Sequence, residues 1–405
     1  MPFLKFIVIL ADGMADYKVK ELENKTPMQY ATKSNFDFFA QNGEVGTVST
    51  IPEGMPPGSD TANLAVMGYD PSIYYSGRSP FEAASMGVEL EAADVTFRCN
   101  VVTLSEGDEY GDRVMLDHSA DEITTEEAKV LIEDLKRQLE NENMDLYAGI
   151  SYRHLLVWHY APQGYKLIPP HDIIGKKVGA FLPEGEDSPI LLEMMKKSVS
   201  ILEKHPINLD RVKRGLKPAN SIWIWGEGKK PLLPSFTQKY GITGTVISAV
   251  DLIKGLGICA GLKVVDVEGA TGNVHTNYYG KAMAAVEALK KGDDFVYIHI
   301  EAPDECGHRN EVENKVKSIE FIDEKIAGVV RKEMEAWGVE YKVMVLPDHP
   351  TPLCLRTHTA EAVPFLIYNS SKSKRSAYPF DEEGSAKSSL KFQEGYKLMD
   401  YFIGE

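Results

Sequence analysis

Asp348 and His349 stand side by side in VLPDHP, directly behind the apolar run Val343–Leu346. A carboxylate and an imidazole there either close a strand with a polar loop or ligate a metal ion. Two other apolar runs end in a similar way. FIVILA (6–11) meets Asp12-Gly13, and FVYIHI (295–300) is followed by Asp304 in EAPDECGH. His308 lies four residues beyond Asp304, a spacing that puts both side chains on one face of a helix. His358 follows His349 by nine residues, in RTHT, a loop able to fold back. Three Asp and three His make a mixed N/O donor set that suits two divalent metal ions such as Mn²⁺ or Zn²⁺, with Mg²⁺ a third option. A structural zinc site would be richer in Cys. His299 alternates inside FVYIHI and reads as a satisfied core histidine.

Ser59, in PPGSDTANL, sits between a Pro-Gly turn and a helix start. A serine there is by default an N-cap, its oxygen accepting an orphan backbone N–H. The chemical alternative is a nucleophile whose attached phosphate is stabilised by the helix N-terminus and whose hydroxyl is activated by a metal. Ser59 alone favours the cap.

The elements that must position these residues are short β-branched runs separated by helical patterns. Phe6–Ala11, Phe295–Ile300 and Lys342–Leu346 read as buried strands of a parallel sheet, with Ser221–Trp225 and Val246–Ser248 as further strands. Gly280–Lys291 and Lys315–Glu335 carry apolar residues at helical spacing, the second through Ile319, Ile322, Ile326, Val329 and Val330. The alternation predicts an α/β fold: a mostly parallel sheet flanked by helices, with ligands at the carboxyl ends of its strands.

The middle of the chain differs. VTFRCNVVTL and YRHLLVW look like strands, 124–141 and 189–204 like charged helices, and 206–218 like a polar segment ending in Lys217-Pro218. The expected organisation is a discontinuous catalytic domain, 1–88 and 218–405, carrying a smaller inserted α+β domain, 89–217. SSKSKRS (370–376) reads as a mobile surface loop.

Composition narrows the partners. The 405 residues are 43% hydrophobic and 26% charged, ordinary for a soluble protein, and the net charge is −16. That charge disfavours nucleic acid and anionic membrane surfaces, and an anionic substrate would need a locally basic site. No apolar stretch approaches the roughly 20 residues of a membrane span, and the start of the chain lacks signal-peptide organisation. The four cysteines are far apart and form no CxxC, which suits reduced thiols and a cytoplasmic location.

With these residues assembled, the chain resembles the archaeal-type, cofactor-independent phosphoglycerate mutases of the alkaline phosphatase superfamily. The motifs are ILADGMAD, PPGSDTANLAVMGYDP, YYSGRSPFEAASMGVEL, FRCNVVTL, PANSIWIWG, VISAVDLIKGLG, GATGNVHTNYYGKAMAAVEAL, HIEAPDECGH and LPDHPTP…RTHT, in order over nearly the whole chain. The resemblance implies an alkaline-phosphatase-like domain with an inserted substrate domain, and two metal ions. Asp304, His308 and His358 would hold one. Asp12, Ser59, Asp348 and His349 would hold the other. It also makes Ser59 the nucleophile that becomes phosphoserine, without 2,3-bisphosphoglycerate as cofactor. The substrate would be a small phosphorylated anion, 3-phosphoglycerate. Its charges call for cations, with Arg78, Arg98, Arg153, Arg211 and Arg214 as candidates. His118, His154 and His171 could carry protons, and Lys281 matches a lysine typical of the phosphatase domain that could contact the phosphate. SYRHLLV and PPHDIIG resemble a bacterial subset proposed to be homoserine kinases. Homoserine is therefore a second possible acceptor, with Asp172 a carboxylate for its ammonium. A binding module that has lost catalysis is a third class, one expected to hold no stoichiometric metal.

Overall fold

The computed structural model describes residues 4–372 and 374–404. Met1–Phe3, ahead of the first strand, and Ser373, inside the stretch read as a surface loop, lie outside the described residues, as does Glu405. The chain forms two compact units, 1–75 with 232–405 and 76–231.

The first unit is built on an eight-stranded sheet. Its spatial order is Lys391–Phe392, Glu44–Val48, Val363–Asn369, Tyr341–Leu346, Lys5–Ala11, Phe295–Ile300, Gly244–Ile247 and Lys263–Val265. The five strands from Tyr341–Leu346 to Lys263–Val265 run parallel, whereas Val363–Asn369 is antiparallel to both its neighbours. Lys5–Ala11 is buried at every residue, as a strand covered on both faces must be. One face packs Ile7, Ile9 and Ala11 against Ala282, Ala285 and Leu289 of the helix Tyr278–Lys290.

The same core takes Ile319, Ile322, Ile326 and Val330. The single helix expected over 315–335 is observed as Val312–Ile322 and Gly328–Trp337, joined by a π turn at Asp323–Ala327. At the turn the Asp323 carboxylate accepts the Phe36 N–H at 2.7 Å and the Asn35 N–H at 3.2 Å. These are orphan donors at the start of the helix Ser34–Gln41, so the widened turn supplies a cap to a distant helix.

The second unit holds a five-stranded antiparallel sheet. Val95–Leu104 is its spine, pairing with Arg153–Trp158, Ser221–Lys229 and Met115–Asp117, and Met144–Tyr147 adds to Arg153–Trp158. Helices Thr125–Leu139 and Ser188–Leu202 bury Leu131, Leu135, Leu191 and Met195 with Phe97, Val101, Ile222 and Ile224.

Two expectations are corrected. Ser221–Trp225 does not join the parallel sheet. It belongs to a strand that pairs antiparallel with Val95–Leu104 in the second unit. The helix Ser79–Ser85 is drawn into that unit too, through Ser79 Oγ, which bonds the Thr96 carbonyl at 3.1 Å and hydroxyl at 2.8 Å. The division therefore falls outside 89 and 217, at 76 and 231. The polar 206–218 segment contains a helix, Pro206–Lys213, started by proline at its first position and by His205 as N-cap.

Candidate active site

Three parallel strands lying side by side, Tyr341–Leu346, Lys5–Ala11 and Phe295–Ile300, deliver the acid-bearing turns to one edge of the first unit's sheet. Asp12 follows the central strand directly. Asp348 and His349 follow the second. The third runs into the helix Ala302–Arg309, whose first and last turns carry Asp304 and His308. Gly13 permits the convergence. Its φ is +61°, and a Cβ there would lie 2.5 Å from Thr351 Oγ1 and 2.7 Å from Asp304 Cα, so only glycine fits. Its N–H donates to Asp348 Oδ1 at 3.1 Å.

The candidate donors meet. His308 Nε2 lies 3.2 Å from Asp304 Oδ2, and His358 Nε2 lies 3.3 Å from Asp304 Oδ1. His349 Nε2 lies 3.6 Å from Asp12 Oδ1 and 3.5 Å from Asp348 Oδ2. The atoms converge as two groups, Asp304–His308–His358 and Asp12–Asp304–His349, with Asp304 common to both. Asp348 is more heavily engaged. Its Oδ1 accepts the Gly13 and His349 N–H groups, and its Oδ2 accepts Asn63 Nδ2 at 2.8 Å.

The cluster fits divalent cations on three observations. Asp12 Oδ1 is a buried carboxylate oxygen without a hydrogen-bond partner among the described residues, a costly state unless a cation completes it. His308 Nε2 and His358 Nε2 face each other at 2.9 Å, an approach that at most one proton can bridge and that aims both rings at one region. Burial, with Asp348 and Asp304 nearby, raises the Asp12 carboxyl well above the usual range. Asp304 goes the other way. Burial works to raise it, but the hydrogen bonds from His308 and His358 outweigh burial and hold it well below. The bond to Asp304 in turn lifts His308 to about 9.

Ser59 opens the helix Ser59–Val66, and the N-cap is Gly58, with no side-chain cap bond. The capping role expected from Ser59 alone is therefore absent. Its Oγ lies instead 3.1 Å from His349 Nε2. Asn63, one turn on, donates to Ser59 O at 2.9 Å and to Asp348 Oδ2, and accepts Tyr297 OH at 2.6 Å. Thr351 Oγ1 bonds Asp304 Oδ1 at 2.5 Å and lies 3.3 Å from His349 Nδ1. His299 is buried and satisfied, as expected, but its partner is Asp12, at 3.0 Å, and burial lowers its pKa to about 3. Sequence reasoning passed over Asn63, Tyr297 and Thr351. The usable signal was spacing, since Asn63 is a helical turn from Ser59 and Tyr297 shares a strand face with His299.

In the second unit Arg78, Arg98, Arg153, His118 and His171 come together. Arg78 and Arg98 donate through Nε to the two oxygens of Glu82, each at 3.0 Å. Burial works to raise Glu82, but Arg98 and Arg78 outweigh it and hold the carboxyl low. The Arg98 guanidinium lies over Trp225 at 4.2 Å, Arg153 over Tyr152 at 5.7 Å. His171 packs edge-on to Trp225, and His118 between His171 and Tyr152.

The other candidates are placed elsewhere. Arg211 is buried on its helix, committed to the Ala120 and Lys217 carbonyls and to Glu127, with Arg214 on Glu127 and Asp210. These two hold loops of the fold. His154 is buried, accepts the Gly149 N–H at 3.1 Å, and burial lowers its pKa to about 3, so it stays neutral. Lys281, in the first unit, is fully buried and donates to the His299 carbonyl at 3.0 Å, with burial lowering its pKa to about 8. Asp172 is 61% exposed in its side chain, which is not a buried carboxylate awaiting an ammonium.

The mostly parallel α/β sheet gathers an Asp/His cluster and a helix-start serine at its carboxyl edge. The family model for 2,3-bisphosphoglycerate-independent phosphoglycerate mutase matches residues 40–208. The Methanosarcina barkeri protein of that name is 47% identical over 402 residues, 99% of this chain and 99% of its own. A solved Pyrococcus horikoshii protein has a TM-score of 0.83 at 30% identity, over 100% of this chain and 97% of its own. The cofactor-independent phosphoglycerate mutase from Thermoplasma acidophilum has a TM-score of 0.64 at 26% identity, over 99% of each chain. The chain belongs to the 2,3-bisphosphoglycerate-independent phosphoglycerate mutase family. Among the described residues no helix is long and apolar enough to cross a membrane.

Proposed function

We propose that the chain interconverts 3-phosphoglycerate and 2-phosphoglycerate through a phosphoserine at Ser59, in a centre for two divalent metal ions, Mn²⁺ in the first place. The observation that carries the reading is Ser59 Oγ, free of a capping role and 3.1 Å from His349 Nε2 within the Asp/His cluster. Asp304, His308 and His358 would hold one ion, and Asp12, Ser59, Asp348 and His349 the other. Bound ions would acidify the Ser59 hydroxyl and spread charge from the phosphoryl oxygens.

The remaining chemistry falls to the chain. Ser59 Oγ bonds phosphorus as the bond from phosphorus to the glycerate 3-oxygen breaks, and that oxygen takes up the proton Ser59 gives away. The 2-hydroxyl of retained glycerate then attacks the phosphoserine and the exchange runs in reverse, restoring the Ser59 hydroxyl. Retaining glycerate makes the second transfer effectively intramolecular, and the helix N-terminus at Ser59 favours the attached phosphate. Arg78, Arg98 and Arg153 are assigned to the carboxylate and phosphate of the substrate, since guanidinium groups bind both in a fork. His118 and His171, in the same cluster, are the assigned proton carriers.

The homoserine alternative finds no support in the relatives, and the exposure of Asp172 speaks against a built ammonium site. The four scattered cysteines and a diffusible substrate support a cytoplasmic location. The test is ³¹P NMR of the Mn²⁺-loaded enzyme with 3-phosphoglycerate and no added 2,3-bisphosphoglycerate, beside an arm offering homoserine and phosphoryl donors. Formation of 2-phosphoglycerate supports the reading. Homoserine phosphate without isomerisation overturns it.

A further inference from the structure

Asp12 is held unsymmetrically. His299 Nε2 lies 3.0 Å from Asp12 Oδ2, while Asp12 Oδ1 has no hydrogen-bond partner among the described residues and faces His349 Nε2 at 3.6 Å. The other side of the imidazole is also engaged, Nδ1 lying 3.2 Å from Ser248 Oγ. Ser248 Oγ accepts the Val250 N–H at 2.9 Å, and its O–H is able to donate to an unprotonated His299 Nδ1. To ligate a cation Asp12 must be a carboxylate, which can only accept. Together these place the single ring proton on Nε2, directed at Asp12 Oδ2. The ring has no room to turn, since His299 and Asp12 side chains are 0% and 3% exposed. Its backbone is pinned as well, by Lys281 Nζ on the His299 carbonyl at 3.0 Å.

We infer that His299 is a positioning residue for the metal centre: it occupies Asp12 Oδ2, so that Asp12 presents Oδ1 alone to a cation, and Ser248 supports the tautomer that does so by donating to Nδ1. This rests on the metal-centre reading above. A carboxylate with one oxygen tied back cannot swing to chelate through both, so the charge, direction and number of donor atoms at Asp12 are set before an ion arrives. Hydrogen bonds behind a ligand commonly contribute 10–100-fold in metal affinity. The Ser248–His299–Asp12 chain is a relay of this kind, running from the end of the strand Gly244–Ile247 through Phe295–Ile300 to the turn after Lys5–Ala11.

The test is Mn²⁺ binding to the metal-free enzyme, read by calorimetry and by Mn²⁺ EPR, on proteins whose melting in EDTA shows a folded state. His299→Leu is expected to weaken one of two ions by about 10–100-fold and to leave the other, held by Asp304, His308 and His358, unchanged. His299→Gln, whose amide nitrogen can reach the position of Nε2, should recover most of that loss. Ser248→Ala keeps the ring but removes its Nδ1 partner and should show a smaller loss at the same ion. Wild-type affinity for both ions in His299→Leu overturns the inference, as does equal weakening of both ions, or a His299→Gln variant as weak as His299→Leu. Should His299→Leu fail to fold, the other two variants decide. Near-native His299→Gln with a weakened Ser248→Ala supports the relay, and the reverse order overturns it. A wild-type enzyme that binds no Mn²⁺ removes the metal reading itself, an outcome distinct from two ions bound indifferently to His299.

Discussion

Asn63 donates its amide to Asp348 Oδ2 at 2.8 Å, joining residues 285 apart in the chain. The same Nδ2 donates to the Ser59 carbonyl at 2.9 Å, and Oδ1 accepts Tyr297 OH at 2.6 Å. One buried amide therefore ties the helix of the candidate nucleophile to a candidate ligand and to the central sheet. Replacing it with leucine strands Asp348 Oδ2 and the Tyr297 hydroxyl, and each stranded group costs about 1–3 kcal/mol. Asn63→Leu is expected to lower the unfolding free energy read from a urea titration by that order and to reduce turnover. A variant with native stability and native kcat would refute this account of Asn63.

Ser59→Ala should separate chemistry from folding. Gly58 is the N-cap and Ser59 makes no cap bond, so the stability change is expected to stay below about 1 kcal/mol, under the usual loss for a capping serine. Mutase turnover should vanish. Circular-dichroism melting beside a coupled assay reads both quantities. Retained turnover would remove Ser59 from the reaction.

Lys315 and Asp16 form an ion pair at 2.6 Å with side chains 0% and 1% exposed. Lys315 also donates to the Thr351 carbonyl at 2.8 Å, and Asp16 accepts the Tyr17 and Leu353 N–H groups. Removing one partner leaves the other charge buried, a loss of about 3–5 kcal/mol. Lys315→Met is expected to destabilise by that amount in denaturant unfolding, and Lys315→Met with Asp16→Asn by less than the sum of the singles. Strict additivity would show that the two charges do not depend on each other.

His159 predicts a pH dependence for the second unit. Its Nδ1 lies 2.7 Å from Asp94 Oδ1 and its Nε2 3.0 Å from Asp145 Oδ2. The hydrogen bond to Asp94, then that to Asp145, raises its pKa. The folded value therefore exceeds the unfolded one of about 6.5. The stabilisation is complete below about 6.5 and is lost as pH rises through the folded value. The stability difference between the native protein and His159→Gln should shrink across that rise. A difference that is flat, or that grows, contradicts the assignment.

Chelation should cost stability as well as turnover, because an ion that binds only the folded state stabilises by about 2.7 kcal/mol at 100 times its Kd. Removing Mn²⁺ is expected to lower Tm and its readdition to restore it, with the unpartnered Asp12 Oδ1 as a natural point of loss. A Tm indifferent to EDTA and Mn²⁺ would argue against a metal centre at this cluster.

Much of the site was legible in the linear chain because its geometry is local. The Asp304–His308 pair follows from helical spacing, and the strand-end positions of Asp12, Asp348 and His349 follow from apolar runs that stop at polar residues. The family motifs marked Ser59 where its local context suggested only a cap. What the chain did not disclose depends on partners far away. Period-two patterning is the same in either sheet, so Ser221–Trp225 was assigned by order along the chain, whereas pairing with Val95–Leu104 decided its place. An arginine on a polar helix looks exposed until the distant Ala120 carbonyl and the nearby Lys217 carbonyl take its donors, as they do for Arg211. His299 read rightly as a satisfied core residue, but only the neighbouring strand showed that the group satisfying it is Asp12. Side-chain type and spacing are set by the sequence over a few residues. Which buried donor meets which acceptor is set by strand order and burial, and those exist only once the chain has folded.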